Sequence, residues 1–150
     1  MDQDVFRQTY FELNDRICVY EKSILSGLCR CSRAEKLNLA EREGVHCHDD
    51  QYQQRCERLM ELMRTRARFA LKIGAEGEPL SHNKAMRLQI GGLRGLYHAN
   101  HEDQATPLVL TDISGLIDQS EETFGELENL PFEVLIKEIA AYKGRSRKKK

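Results

Sequence analysis

Four of the five cysteines in this chain fall between positions 29 and 56, and they are its strongest chemical signal. The pattern is Cys29-x-Cys31, fifteen residues, Cys47, eight residues, Cys56, with His46 and His48 flanking Cys47. Thiolates are soft ligands, and four of them suit either a tetrahedral zinc ion or a 4Fe–4S cluster. Cys29, Cys31, Cys47 and Cys56 are therefore the candidate metal and cofactor ligands, with His46 and His48 as substitutes. The Cys-x-x-Cys pair of zinc knuckles and ferredoxins is absent. Because zinc normally takes tighter, hairpin-like ligand pairs, an iron–sulfur cluster leads and zinc is the alternative. A helix starting at Ser32 would aim its positive end at the Cys29–Cys31 link and favour thiolate there. Cys18, beside Ile17 on a helical face, reads as apolar packing.

Other constellations carry less. Glu43-x-x-His46 has the spacing of di-iron bundles, but no second such pair occurs and Gly44 interrupts it. The run Gly91-Gly92-Leu93-Arg94-Gly95 follows no strand and lacks the Lys-Ser/Thr ending of a phosphate-binding loop. Glycines inside a helix cost roughly 1 kcal/mol each relative to alanine, so close approach of another helix across Gly91 and Gly95 is expected. Arg64, Arg68 and Lys72 form a basic stripe at steps of four, and with Lys84, Arg87 and Arg94 they offer an anion- or partner-docking face. No base can be assigned to a cysteine nucleophile, which ranks an enzyme last.

The elements that must position the thiols read as helices. Apolar residues at Phe6, Tyr10, Leu13, Ile17, Tyr20, Ile24 and Leu28 alternate in steps of four and three, one helical face that also offers a homodimer seam. Ser32-Arg33-Ala34-Glu35 fits a capping box opening a short helix to about Arg42. Asp49 or Asp50 caps a third helix carrying Tyr52, Cys56, Leu59, Met63, Ala67, Ala70 and Ile73 inward. Residues 74–81 form a linker, Ser81 caps a fourth helix to about Ala99, Thr111 caps a fifth, and Pro131 opens a sixth. No segment sustains a period of two. The expectation is an all-α, single-domain bundle of five or six helices over residues 1–143, with a flexible basic tail at 144–150. One difficulty is built into it. Cys31 and Cys47 lie at opposite ends of a helix of about eleven residues, roughly 16 Å long, so a shared site needs the 43–49 loop to fold back.

Length and charge bound the rest. A chain of 150 residues holds one core, and 40% hydrophobic with 31% charged residues is ordinary for a globular helical protein. Six of the 23 basic residues lie at 143–150, so residues 1–142 carry 17 against all 24 acidic groups, a body of −7. That body argues against nucleic acid as a partner except through the tail. No stretch approaches the roughly 20 apolar residues of a membrane span, and the acidic N-terminus does not resemble an export signal. A cytoplasmic location follows, where clustered cysteines signify metal or thiol chemistry rather than disulfides. The function expected is a metal-binding protein with an iron–sulfur cluster, in a redox, sensing or assembly accessory role, working with a protein partner. The alternative is a helical interaction module, an adaptor or chaperone, with a structural zinc or incidental cysteines.

Overall fold

The segment expected to form the second helix is a β-hairpin. In the computed structural model, which describes residues 14–39, 42–73 and 78–143, β1 (Ala34–Leu39) pairs antiparallel with β2 (Arg42–Cys47). The register runs from Ala34 opposite Cys47 to Leu39 opposite Arg42. The chain is thus mostly helical with a small two-stranded sheet, which corrects the all-α expectation. Locally the residues favour a helix, since Ala, Glu, Lys, Leu and Arg are strong helix formers. Tertiary pairing overrides that preference at residues 45–48. Val45 and Cys47 are buried while His46 and His48 are more exposed, a strand period of two.

The chain before α1 (Glu21–Leu25) runs along β2 and satisfies its far edge. Cys18 N–H donates to the Val45 carbonyl at 2.9 Å, and Cys47 N–H donates to the Arg16 carbonyl at 2.8 Å. The Asn14 amide donates to the Val45 carbonyl at 3.0 Å, and Val45 N–H donates to the Glu21 carboxylate at 2.8 Å. Among the described residues the expected first helix therefore shrinks to α1, closed by Gly27 at φ 78°. The Phe6–Leu28 dimer seam is not one continuous helix; its part before Asn14 lies outside the described residues, as do 74–77 of the linker and the 144–150 tail. The Ser32 capping box does not form either. Ser32 N–H donates to the Asp112 carboxylate at 2.9 Å, and Glu35 meets His48 at 2.9 Å.

The remaining helices follow the sequence more closely. Asp49 caps α2 (Asp50–Arg66) by accepting from the Gln51 and Tyr52 amides. α2 breaks at Ala67, a few residues before the expected end, and one more turn, α3 (Arg68–Leu71), stops at Lys72 in the left-handed region. Ser81 caps α4 (His82–Met86), which widens into a π turn at Arg87–Gly91 before α5 (Gly92–Asn100). Asp112, not Thr111, occupies the cap position of α6 (Ile113–Phe124), and α7 (Phe132–Ala141) starts after Pro131.

α5 and α7 touch backbone to backbone. A Cβ on Gly91 would lie 2.7 Å from the Ile139 Cα, and one on Gly95 would lie 2.7 Å from the Leu135 Cα. The core runs from this crossing through Leu59, Met63, Leu93, Leu96 and Ile117 to Tyr20, Val45 and Cys56 at the hairpin. Four of the six cations expected to offer a docking face also donate to backbone carbonyls. Arg64 donates to the Glu78 carbonyl, Lys84 to that of Lys72 at 2.9 Å, Arg87 to that of Ala140 at 2.8 Å and Arg94 to that of Pro107 at 3.0 Å. Among the described residues no helix is long and apolar enough to cross a membrane.

Candidate metal centre

Four cysteines from four separate segments line one cavity of about 10 Å³. Cys18 comes from the strand-like approach to α1, Cys31 from the link before β1, Cys47 from the end of β2 and Cys56 from the early turns of α2. The hairpin resolves the difficulty posed by an intervening helix. Pairing Ala34 with Cys47 brings the end of β2 back beside the Cys31 link. The Asp49 cap then turns the chain into α2 at once, and the Cys47 thiol donates to the Asp49 carbonyl at 3.3 Å. Gln53 fixes the remaining side by donating to the Ile17 carbonyl at 2.8 Å, next to Cys18. Ile113 and Ser114, from the start of α6, complete the wall.

The sequence-expected residues divide. Cys31, Cys47 and Cys56 share the cavity wall, whereas Cys29, only 1% exposed and paired with Leu110 in a short parallel bridge, is not part of it. His46 bonds the Asn14 side chain at 2.9 Å and His48 the Glu35 carboxylate at 2.9 Å, and neither lines the cavity. The cavity wall also takes in Cys18 and Tyr20, which the sequence did not bring to the site. Both sat on the apolar face of a presumed helix. The signal available was Asn14-Asp15 within that helix, two residues that compete with helical hydrogen bonding.

Burial dominates the electrostatics. It pushes the Cys18 and Cys29 thiols up to about 12, raises Cys56 strongly and raises Cys47, whose shift the Asp49 backbone contact opposes. These groups are neutral thiols at physiological pH, the reverse of an activated nucleophile. Positive charge nevertheless stands close by. Arg33 lines the cavity, lies 4.6 Å over the Tyr52 ring and meets Asp49 at 3.6 Å, while Arg16 donates to the Cys47 carbonyl at 3.2 Å. Among the described residues, no three His, Cys, Asp or Glu side chains stand in the arrangement that holds an ion. Tetrahedral zinc with bonds of about 2.3 Å needs its sulfurs roughly 3.8 Å apart.

The raised thiols make the metal-free protein sensitive to alkali. Unfolded cysteines ionise near 9 whereas folded Cys18 and Cys29 hold their protons to about 12. Between those values the unfolded state binds fewer protons, so stability is full below about pH 9 and falls as pH rises through the window. The reduced, metal-free melting temperature should drop steadily from pH 9 to 11. A flat profile would show that these thiols are not buried.

No family model, no curated protein and no solved structure matches this chain.

Proposed function

We propose that this is a non-enzymatic metal-binding protein whose centre is held by the thiolates of Cys18, Cys31, Cys47 and Cys56. The observation that carries this reading is the convergence of four cysteines, from segments spread over residues 18–56, on one small cavity. Burial alone explains a single cysteine easily, because a free thiol behaves as a small apolar group. It does not explain four on one wall. Metal binding does, since coordination removes the thiol protons outright and turns costly buried thiolates into bonded ones.

Two occupants share this ligand chemistry, and the cavity favours one. About 10 Å³ is the space of a single small probe, enough for one ion once the thiols close in. A 4Fe–4S cubane adds eight atoms and needs the walls of β2, α2 and α6 to part. The occupant proposed is therefore one zinc ion, with the iron–sulfur cluster expected from the sequence as the competing outcome. Four thiolates around a divalent cation leave a net charge of −2, which Arg33 and Arg16 help to offset. The setting proposed is a reducing compartment such as the cytoplasm, and the role is structural or sensing. A second reading, an interaction module, is favoured by Phe69, 91% exposed on α3, and Leu108, 84% exposed.

Protein purified without oxygen should be colourless and contain about one zinc per chain. Brown protein with equal iron and sulfide would replace zinc by a cluster. Protein that takes up neither, even after reconstitution, overturns the metal-binding reading.

A further inference from the structure

Phe69 is 91% exposed on α3. Single apolar side chains on a surface are ordinary, so exposure alone carries nothing. What sets Phe69 apart is the charge around it. Between Glu61 and Glu76 the sequence holds Arg64, Arg66, Arg68 and Lys72 and no acid. Arg66 and Lys72 stand three residues before and after Phe69, and Arg66, Arg68 and Lys72 are all exposed. None of these four cations forms an ion pair among the described residues, whereas Arg33, Arg55 and Arg58 each face a carboxylate, at 3.6, 3.3 and 2.8 Å. Arg66 lies 4.9 Å over the Phe132 ring, and Glu78 meets Arg64 through its backbone carbonyl.

The cationic surface continues past α3. Lys84 donates to the Lys72 carbonyl at 2.9 Å, and one turn on Arg87 donates to the Ala140 carbonyl at 2.8 Å, at the end of α7. Lys143 follows, exposed, and the sequence adds five more cations between 145 and 150. We propose that this end of the molecule docks on an anionic lipid surface, Phe69 entering the headgroup region while Arg66, Arg68 and Lys72 face the lipid phosphates. The charge of residues 143–150 adds attraction from the same side. An apolar wedge among cations is what binding at a headgroup layer needs. A protein partner asks for more, about 800 Å² per side around an apolar core, and the large exposed apolar group on α3 is one ring. Single-stranded nucleic acid takes several aromatics on which successive bases stack. Phe69 follows Cys56 by 13 residues, roughly 20 Å of helix, so this surface is independent of the metal-binding reading.

The test is co-sedimentation of the full chain with vesicles of phosphatidylcholine alone and of equimolar phosphatidylcholine and phosphatidylserine. Binding is expected to the anionic vesicles only and should weaken steeply with salt, since exposed charges are screened within roughly 10 Å at 0.1 M. Phe69→Ala should weaken it about 10- to 100-fold. Arg68→Gln/Lys72→Gln should weaken it about 30-fold. Melting temperatures should stay near that of wild type, because all three side chains are exposed. The chain has no tryptophan, so Phe69→Trp supplies a single reporter, whose emission should move to shorter wavelength on anionic vesicles. Equal affinity for phosphatidylcholine alone, or binding left unchanged by Phe69→Ala or by the double variant, overturns the proposal. So does a Phe69→Trp emission that anionic vesicles do not shift. Binding to polyglutamate or to a single-stranded oligonucleotide but not to vesicles, lost in the same variants, overturns the lipid assignment and gives the surface to that partner.

Discussion

Cys18→Ser should cost metal affinity as heavily as Cys31→Ser, Cys47→Ser or Cys56→Ser, while Cys29→Ser leaves about one metal per chain. Apparent binding free energies for structural zinc run to about 10–16 kcal/mol, so one ligand in four corresponds to roughly 3–4 kcal/mol, or two to three orders of magnitude in affinity. Serine is nearly isosteric with cysteine but is a poor ligand for zinc, so the loss tests coordination rather than volume. Cys29 is also buried, and a hydroxyl in its place should lower stability by about 1–3 kcal/mol without changing stoichiometry. Metal analysis after dialysis against a competing chelator separates the two effects, with melting curves alongside. A metal-free Cys29→Ser beside a fully loaded Cys18→Ser would return the fourth ligand to Cys29.

The crossing of α5 and α7 should be the least tolerant part of the scaffold. Alanine normally gains up to about 1 kcal/mol over glycine inside a helix. At Gly91 and Gly95 the new methyl meets Cα atoms of Ile139 and Leu135, which only a shift of a whole helix can relieve. Overpacking of this kind costs about 1–3 kcal/mol, and since the two sites share one crossing their effects should couple. The double variant Gly91→Ala/Gly95→Ala should lose about 3–4 kcal/mol, a melting temperature lower by roughly 6–16 °C. Gly92→Ala should be milder, because the added methyl meets the flexible Met63 side chain rather than backbone. Calorimetry decides, and an increase in melting temperature for Gly95→Ala would show that the helices are not in contact there.

That contact was legible in the sequence, and the reason is instructive. Three glycines in a helical pattern break a local preference, and such a violation needs a tertiary cause. Caps were legible for the same kind of reason: Asp49 and Ser81 have short acceptor side chains that suit only a few backbone positions. The hairpin was not. Residues 34–43 satisfy helix propensity, and what defeats it is the long-range edge supplied by Asn14, Arg16, Cys18 and Glu21, which no local window contains. The same blind spot hid Cys18. Its spacing from Tyr20 and Ile24 fits a helix, while the backbone there spends its hydrogen bonds on β2. That Cys31, Cys47 and Cys56 share one cavity wall could be anticipated because their side-chain chemistry, unlike their geometry, is independent of the element that carries them.

The wall contributed by Ile113 and Ser114 gives the site a timetable. Arg30 N–H donates to the Leu110 carbonyl at 2.8 Å and Ile113 N–H to the Arg30 carbonyl at 2.9 Å, so the thiol segment is closed by chain made much later. Ser32 and Ser114, in contact at 2.9 Å, are 82 residues apart. At synthesis rates of about 5–20 residues per second, the last of these cysteines, Cys56, emerges roughly 3–12 s before the segment that completes the wall. In that interval the thiols lack the cover that Ile113 and Ser114 give them in the finished fold. The order of synthesis thus makes the start of α6 the last part of the cavity wall to arrive.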